Sequence, residues 1–218
     1  MDTPTLVTVL SILQKESKTW DVPIVTLIAD QTSDPFRVLI TTILSLRTKD
    51  ETTTEAARRL FARAATPAGM LAIPREELSA IIYPVGFYKQ KAKSIHAVCR
   101  ILIEEYAGQV PNDLDTLLTF PGVGRKTANL VLTLGFGIDA ICVDTHVHRI
   151  SNRFGYVKTK TPEETEFALR DILPLEWWIP VNDVLVAFGQ SLCRPISPWC
   201  SRCPVERYCE KVHVDKHR

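Results

Sequence analysis

The sequence predicts an all-α fold, on three observations. Apolar residues recur at helical spacing in most segments. Several of those stripes open on a small polar residue and a proline or acid, the usual start of a helix. A strand-like run occurs only at Ala140 to Thr145 (AICVDT), too isolated to build a sheet.

The elements follow in chain order. Leu6, Val9, Leu10 and Leu13 form the first stripe, after an acid at Asp2 and with no basic flank. That is an amphipathic helix rather than a signal peptide. Asp34-Pro35 gives an N-cap and a proline at the first helical position, and Phe36, Leu39, Ile40, Ile43 and Leu44 then share one face. Ile95, Val98, Cys99, Leu102 and Tyr106 form another stripe. Asn112, Asp113 and Thr161-Pro162 are further starts, and Trp177-Trp178-Ile179 leads to a buried helix through Val184, Leu185 and Phe188. Roughly ten helices of ordinary length with short loops account for the chain. No repeat, low-complexity tract or linker divides it, so two halves are expected to interlock.

The 218 residues, 45% hydrophobic and 23% charged, suffice for one large or two small cores. A formal net charge of +1 carries no global sign of a nucleic-acid binder, so any basic surface must be local. No apolar run approaches the roughly 18 residues of a membrane span, and an intracellular, cytoplasmic protein is expected.

Six cysteines divide into two kinds. Cys99 and Cys142 lie alone in apolar segments and read as small core residues. Cys193, Cys200, Cys203 and Cys209 fall in CRPISPWCSRCPVERYC with spacing C-x6-C-x2-C-x5-C. Four thiolates so close can enclose one metal centre. Structural zinc usually takes two C-x2-C knuckles, whereas an iron–sulfur cluster accepts an irregular loop, so iron–sulfur leads, zinc follows and disulfides come last. Arg194, Arg202, Arg207 and Lys211 beside Glu206 and Glu210 make either a solvated surface or an edge that meets phosphate.

The stretch FPGVGRKTANLVL, Phe120 to Leu132, joins a short helix over Asp113 to Thr119 to one faced by Leu130, Val131 and Leu134. Gly122 and Gly124 permit backbone angles that side chains forbid. Successive N–H groups of such a turn, with the next helix start, form an anion site; a ligand-free corner is the plain alternative. A dinucleotide fold would need a preceding strand and a third glycine, and position 127 is threonine. Arg125 and Lys126 put two cations where the backbone is already positive. Asp144, in VDTHVHR, either caps a helix or faces Lys126.

Taken together, LLTFPGVGRKTANLVL, VDTHVHRISNR, the cysteine loop, DPFRVLITTILSLRTKD and GFYKQKAKSI resemble, in order, the endonuclease III branch of the helix-hairpin-helix DNA glycosylases. The resemblance implies two interlocked helical domains with DNA across the cleft between them. One is a six-helix barrel over residues 28–138, with the hairpin at about 113–136; the other joins 1–27 to 139–218 and holds a 4Fe–4S cluster on Cys193, Cys200, Cys203 and Cys209 in the loop 193–209. It implies Lys126 as nucleophile and Asp144 as its catalytic partner. Gly122, Val123, Gly124, Arg125 and His146 become DNA contacts. Arg47 and Phe87 become wedges that fill the gap left by a flipped base, although better-known members carry glutamine at the first position. Phe87 is otherwise a core aromatic. Lys89, Lys91 and Lys93 contact phosphate or merely solvate a helix.

The implied partner is double-stranded DNA with a damaged or abasic nucleotide, met by a monomer acting near the nucleoid. The amine of Lys126 would attack the sugar carbon and leave a Schiff base that drives β-elimination. An amine attacks only when neutral, and the helix start and Arg125 both oppose its charge. A lysine here points to oxidised pyrimidines such as thymine glycol, with abasic sites. The alternatives are a uracil or thymine mismatch glycosylase, or a noncatalytic iron–sulfur protein that binds DNA or carries electrons and needs neither Lys126 nor Asp144.

Overall fold

A computed structural model describes residues 1–17, 19–20 and 34–218. In chain order its α-helices are α1 (Thr3–Ser17), α2 (Pro35–Ser45), α3 (Asp50–Arg63), α4 (Pro67–Ala72), α5 (Arg75–Ile82), α6 (Tyr88–Tyr106), α7 (Leu114–Leu118), α8 (Arg125–Leu130), α9 (Thr145–Arg153), α10 (Pro162–Ile172) and α11 (Pro180–Ser191). Among the described residues there is no strand, and no helix is long and apolar enough to cross a membrane. The chain divides into two compact units, Met1–Pro23 with Asp139–Arg218, and Ile24–Ile138. The boundary expected between residues 27 and 28 lies outside the described residues.

Within Ile24–Ile138, α2 is the most buried element, with Val38, Leu39, Ile40 and Leu44 fully enclosed. Its start is as the sequence predicts: the Asp34 side chain accepts from Phe36 N at 2.9 Å, and proline follows. Helix α6 packs α4 and α5 on one side and α2 on another. Its buried stripe is Ile95, Val98, Cys99 and Leu102. Asp113 caps α7 through Thr116 N at 2.8 Å. The second hairpin helix is shorter than its apolar run suggests: α8 gives way to a π-helical turn over Val131–Gly135. Gly135 packs on Pro35, where a Cβ would lie 3.0 Å from Pro35 Cα. A wider turn accommodates that close approach, and π-turns recur beside functional residues.

In the other unit, Leu6, Val9, Leu10 and Leu13 of α1 join Val147, Ile150, Leu185 and Phe188 in one core. Phe188 stacks on Phe154 and Trp20, with ring centroids 6.2 and 5.9 Å apart. The run from Ala140 to Val143 is buried but does not form a strand. Its Cys142 carbonyl accepts instead from Asn182 Nδ2 of α11 at 3.0 Å, which spares a buried backbone group from going unbonded. Cys99 and Cys142 are both core residues.

Candidate active site and cysteine recess

The hairpin turn is built from inside outwards. Val123 is buried, and its N–H donates to Phe120 O at 3.0 Å, so the turn is closed on its own backbone. The Val123 side chain and N–H thus close the turn itself. Gly122 has φ +83, and a Cβ there would lie 3.0 Å from Ser94 Oγ, so glycine is required twice over. Gly124 departs from expectation. Its φ of −104 and ψ of 178 are extended backbone open to any residue, with nothing within 4 Å of a Cβ. Arg125 and Lys126 then begin α8, half-buried, with no acid in that first turn.

Two further loops in the same unit carry the other predicted contacts. Arg47 (φ +53) and Phe87 (φ +57) both hold the left-handed conformation that L side chains disfavour. Such strain costs on the order of 1–3 kcal/mol per residue and persists only where the surroundings enforce it. Phe87 is 63% exposed, which removes the core-aromatic alternative. The Arg47 guanidinium lies 5.7 Å from the Phe87 ring centroid, so the two exposed side chains stand together.

Lys91 overturns its prediction. It is neither a phosphate contact nor a solvated charge: it is 6% exposed, and its Nζ donates to Leu44 O (2.8 Å), Leu46 O (2.5 Å) and Thr48 Oγ1 (3.1 Å). Lys89 and Lys93 remain exposed. Burial pushes the Lys91 ammonium from 10.5 down to about 8, while the three oxygens hold it charged at neutral pH. The folded value lies below the unfolded one, so the unfolded chain binds more protons in between. Stability therefore rises with pH from about 8 to 10.5 through this group, by at most ~1.4 kcal/mol per unit. Denaturant titrations across that window should show this slope in wild type, and Lys91→Met should lack it.

Asp144 caps α9. Its Oδ1 accepts from His146 N at 2.8 Å and Val147 N at 2.9 Å, so the cap alternative is realised. His146 is half-buried, and its Nδ1 lies 3.1 Å from Arg149 Nη2. Further along α9, Arg149 Nη2 donates to Cys193 O at 2.8 Å. Arg153 Nη1 donates to Arg194 O at 2.7 Å and reaches Cys193 Sγ at 3.4 Å, while its Nη2 donates to Pro195 O at 2.7 Å. One short helix thus begins at the aspartate and ends by clamping the start of the cysteine loop.

None of the six cysteines is in a disulfide. Cys193, Cys200, Cys203 and Cys209 line one recess with Phe154, Phe188, Trp199 and Lys211. Among the described residues no three His, Cys, Asp or Glu are placed to hold a single ion. Burial pushes the Cys203 thiol up to about 12 and raises Cys200 and Cys209, with Lys211 pulling the latter two the other way. Thiolates here need compensating positive charge, which a metal centre supplies. Lys211 N donates to Cys209 Sγ at 3.3 Å, a bond that suits a metal-bound sulfur. The four-thiol donor set and the apolar lining of the recess fit an iron–sulfur cluster.

The HhH-GPD model of superfamily base-excision DNA repair proteins matches residues 40–175. Endonuclease III of Thermotoga maritima is 52% identical over 178 residues, 82% of this chain and 84% of its own length. The chain belongs to the endonuclease III family. The chloroplastic endonuclease III homolog 1 of Arabidopsis thaliana is 43% identical over 183 residues, 80% of this chain; the chain spans about half of that relative, 48%. A solved structure of a trapped endonuclease III–DNA covalent intermediate superposes with a TM-score of 0.85 at 34% identity, covering 97% of both chains. Membership of the endonuclease III family makes this a base-excision DNA repair enzyme, a DNA glycosylase and abasic-site lyase, and the all-helical architecture is that of the same fold.

Sequence reasoning missed Lys91 and Arg153. Lys91 sits four residues before Ile95, on the buried stripe of α6, and Arg153 three after Ile150 on the buried side of α9. A charge at a core position of a helical stripe is the signal that finds both.

Proposed function

We propose that this endonuclease III family member excises oxidised pyrimidines of the thymine glycol type from duplex DNA and cuts the strand 3′ to the resulting abasic site. Lys126 is the nucleophile. Its Nζ forms a bond to the sugar C1′, the C1′–base bond breaks, and the base departs with a proton. The sugar ring opens to a Schiff base, whose iminium acidifies the neighbouring C–H. Loss of that proton expels the 3′ phosphate and breaks the C3′–O bond. The Asp144 carboxylate steadies positive charge on the sugar as the base leaves and moves protons. The observation that carries this reading is a lysine at the start of α8, in the matched stretch of a chain that superposes on a covalently trapped DNA complex.

Gly122, Gly124, Arg125 and His146 contact the damaged strand or its partner, and Arg47 with Phe87 fills the gap left by the everted nucleotide. The unit carrying the hairpin is read as the six-helix barrel, 28–138, and the chain works as a monomer on DNA, in the cytoplasm. Cys193, Cys200, Cys203 and Cys209 hold a 4Fe–4S cluster, which supplies a rigid core to the loop from 193 to 209. Cys203→Ser should remove the broad visible absorption and lower the thermal midpoint; an unchanged spectrum would exclude Cys203 as a ligand.

A panel of duplexes bearing thymine glycol, uracil opposite guanine, thymine opposite guanine, or an abasic site tests the assignment. Release and nicking should be fastest on thymine glycol and the abasic site. Faster release of mismatched uracil or thymine would transfer the assignment to the mismatch alternative.

A further inference from the structure

Two loops hold the exposed pair Arg47 and Phe87, and each presents its residue in a left-handed conformation. They are fastened to one another through few groups. Thr48 Oγ1 accepts from Gly86 N at 3.2 Å, joining the loop after α2 to the turn before α6. A Cβ on Gly86 would lie 2.7 Å from Arg47 O, so the two backbones touch there. Lys91 Nζ sits beneath this junction and donates to Leu44 O, Leu46 O and the same Thr48 hydroxyl. An ammonium has three hydrogens to donate, and here each has an oxygen. Two of those oxygens are carbonyls at the C-terminal end of α2, where a cation is favoured.

We infer that Lys91 is a positioning residue for base eversion, holding the Arg47 loop and the Phe87 turn in one preformed arrangement before DNA arrives. The inference rests on the reading of Arg47 and Phe87 as the gap-filling pair. An ordinary helix-capping lysine would satisfy α2 and stop there. This one also engages the hydroxyl that receives Gly86 N–H, the residue before Phe87. Removing the ammonium takes the lysine donor from the buried Leu44 carbonyl and leaves the Thr48 hydroxyl held to its own loop only by its 3.2 Å bond to Leu46 O, so its grip on Gly86 N loosens. Arg47 and Phe87 then spread over several arrangements, and only a fraction of enzyme is competent to fill the gap. A nucleotide that needs no unpairing should suffer least.

The test compares wild type with Lys91→Met, Arg47→Ala and Phe87→Ala, all as the full chain with its metal centre loaded. Single-turnover release is measured from thymine glycol opposite adenine and from thymine glycol opposite an abasic nucleotide. Lys91→Met should slow the first by 10-fold or more and the second by less than 3-fold. Hydrogen exchange at the Gly86 amide should quicken at least 10-fold in the same variant. Gly86→Ala, which pushes Arg47 O away without touching Lys91, should reproduce the split between substrates and stands in if Lys91→Met does not fold. Equal losses on both substrates, or unchanged Gly86 exchange, would overturn the assignment of Lys91 while leaving the wedge reading intact. If Arg47→Ala and Phe87→Ala both release the paired lesion at the wild-type rate, the wedge reading itself fails, and the role of Lys91 in eversion falls with it.

Discussion

Lys126→Gln should lose strand cleavage by at least ~10⁴-fold while still binding damaged duplex DNA, the scale on which removal of a covalent nucleophile acts. Glutamine keeps an unbranched polar side chain, one atom shorter than lysine, and has nearly the same helix propensity. It has no amine to form the Schiff base, so β-elimination has no electron sink. Base release should fall as well, because the same bond displaces the base. A cation in the first turn of α8, beside Arg125, is opposed by the helix end by about 0.3–1 kcal/mol. A residue placed against its local preference, at an otherwise well-formed turn, is what a functional position looks like. Gel-shift and nicking assays on one abasic duplex make the comparison. Loss of binding in parallel with nicking would mean that Lys126 acts through phosphate contact instead.

Asp144→Asn is expected to slow base release about 10²–10³-fold with little change in stability. The geometry at α9 is what separates the two effects. Asp144 Oδ1 accepts from His146 N and Val147 N, and asparagine caps a helix about as well as aspartate. The amide therefore keeps the cap and removes the charge. Asp144→Ala removes both and should cost about 1 kcal/mol more in stability. Single-turnover release and thermal melting of the three proteins distinguish the roles. If asparagine releases base at the wild-type rate, Asp144 is only a cap.

Much of this was legible in the sequence because it depends on local physics. Asp34, Asp113 and Thr161 cap the helices their types and spacing announce. The stripes of α1, α2 and α6 bury the residues their period selects, except that Tyr106 at the end of α6 is only half-buried. The four clustered cysteines converge on one recess because a short loop leaves them little choice. What was not legible depends on contacts distant in sequence. Lys91 looks like one of three surface lysines until the end of α2, 45–47 residues away, supplies its oxygens. Gly124 looks as constrained as Gly122, yet only Gly122 takes a positive φ and lies against Ser94. Nothing in the local sequence tells that Val123 is buried, with its N–H closing the turn on Phe120 O. Arg153 carries its charge inwards because three backbone carbonyls of the cysteine loop, and one sulfur, wait there.

The measurement that bears most directly on the central claim is borohydride reduction during turnover on a duplex with a single thymine glycol or abasic site. Reduction converts the transient Schiff base to a stable amine, so wild-type protein should become covalently joined to DNA, with the added mass on the peptide containing Lys126. The Lys126→Gln protein should give no adduct. Efficient nicking by wild type with no trapped adduct, or an adduct mapped to another residue, would contradict the account.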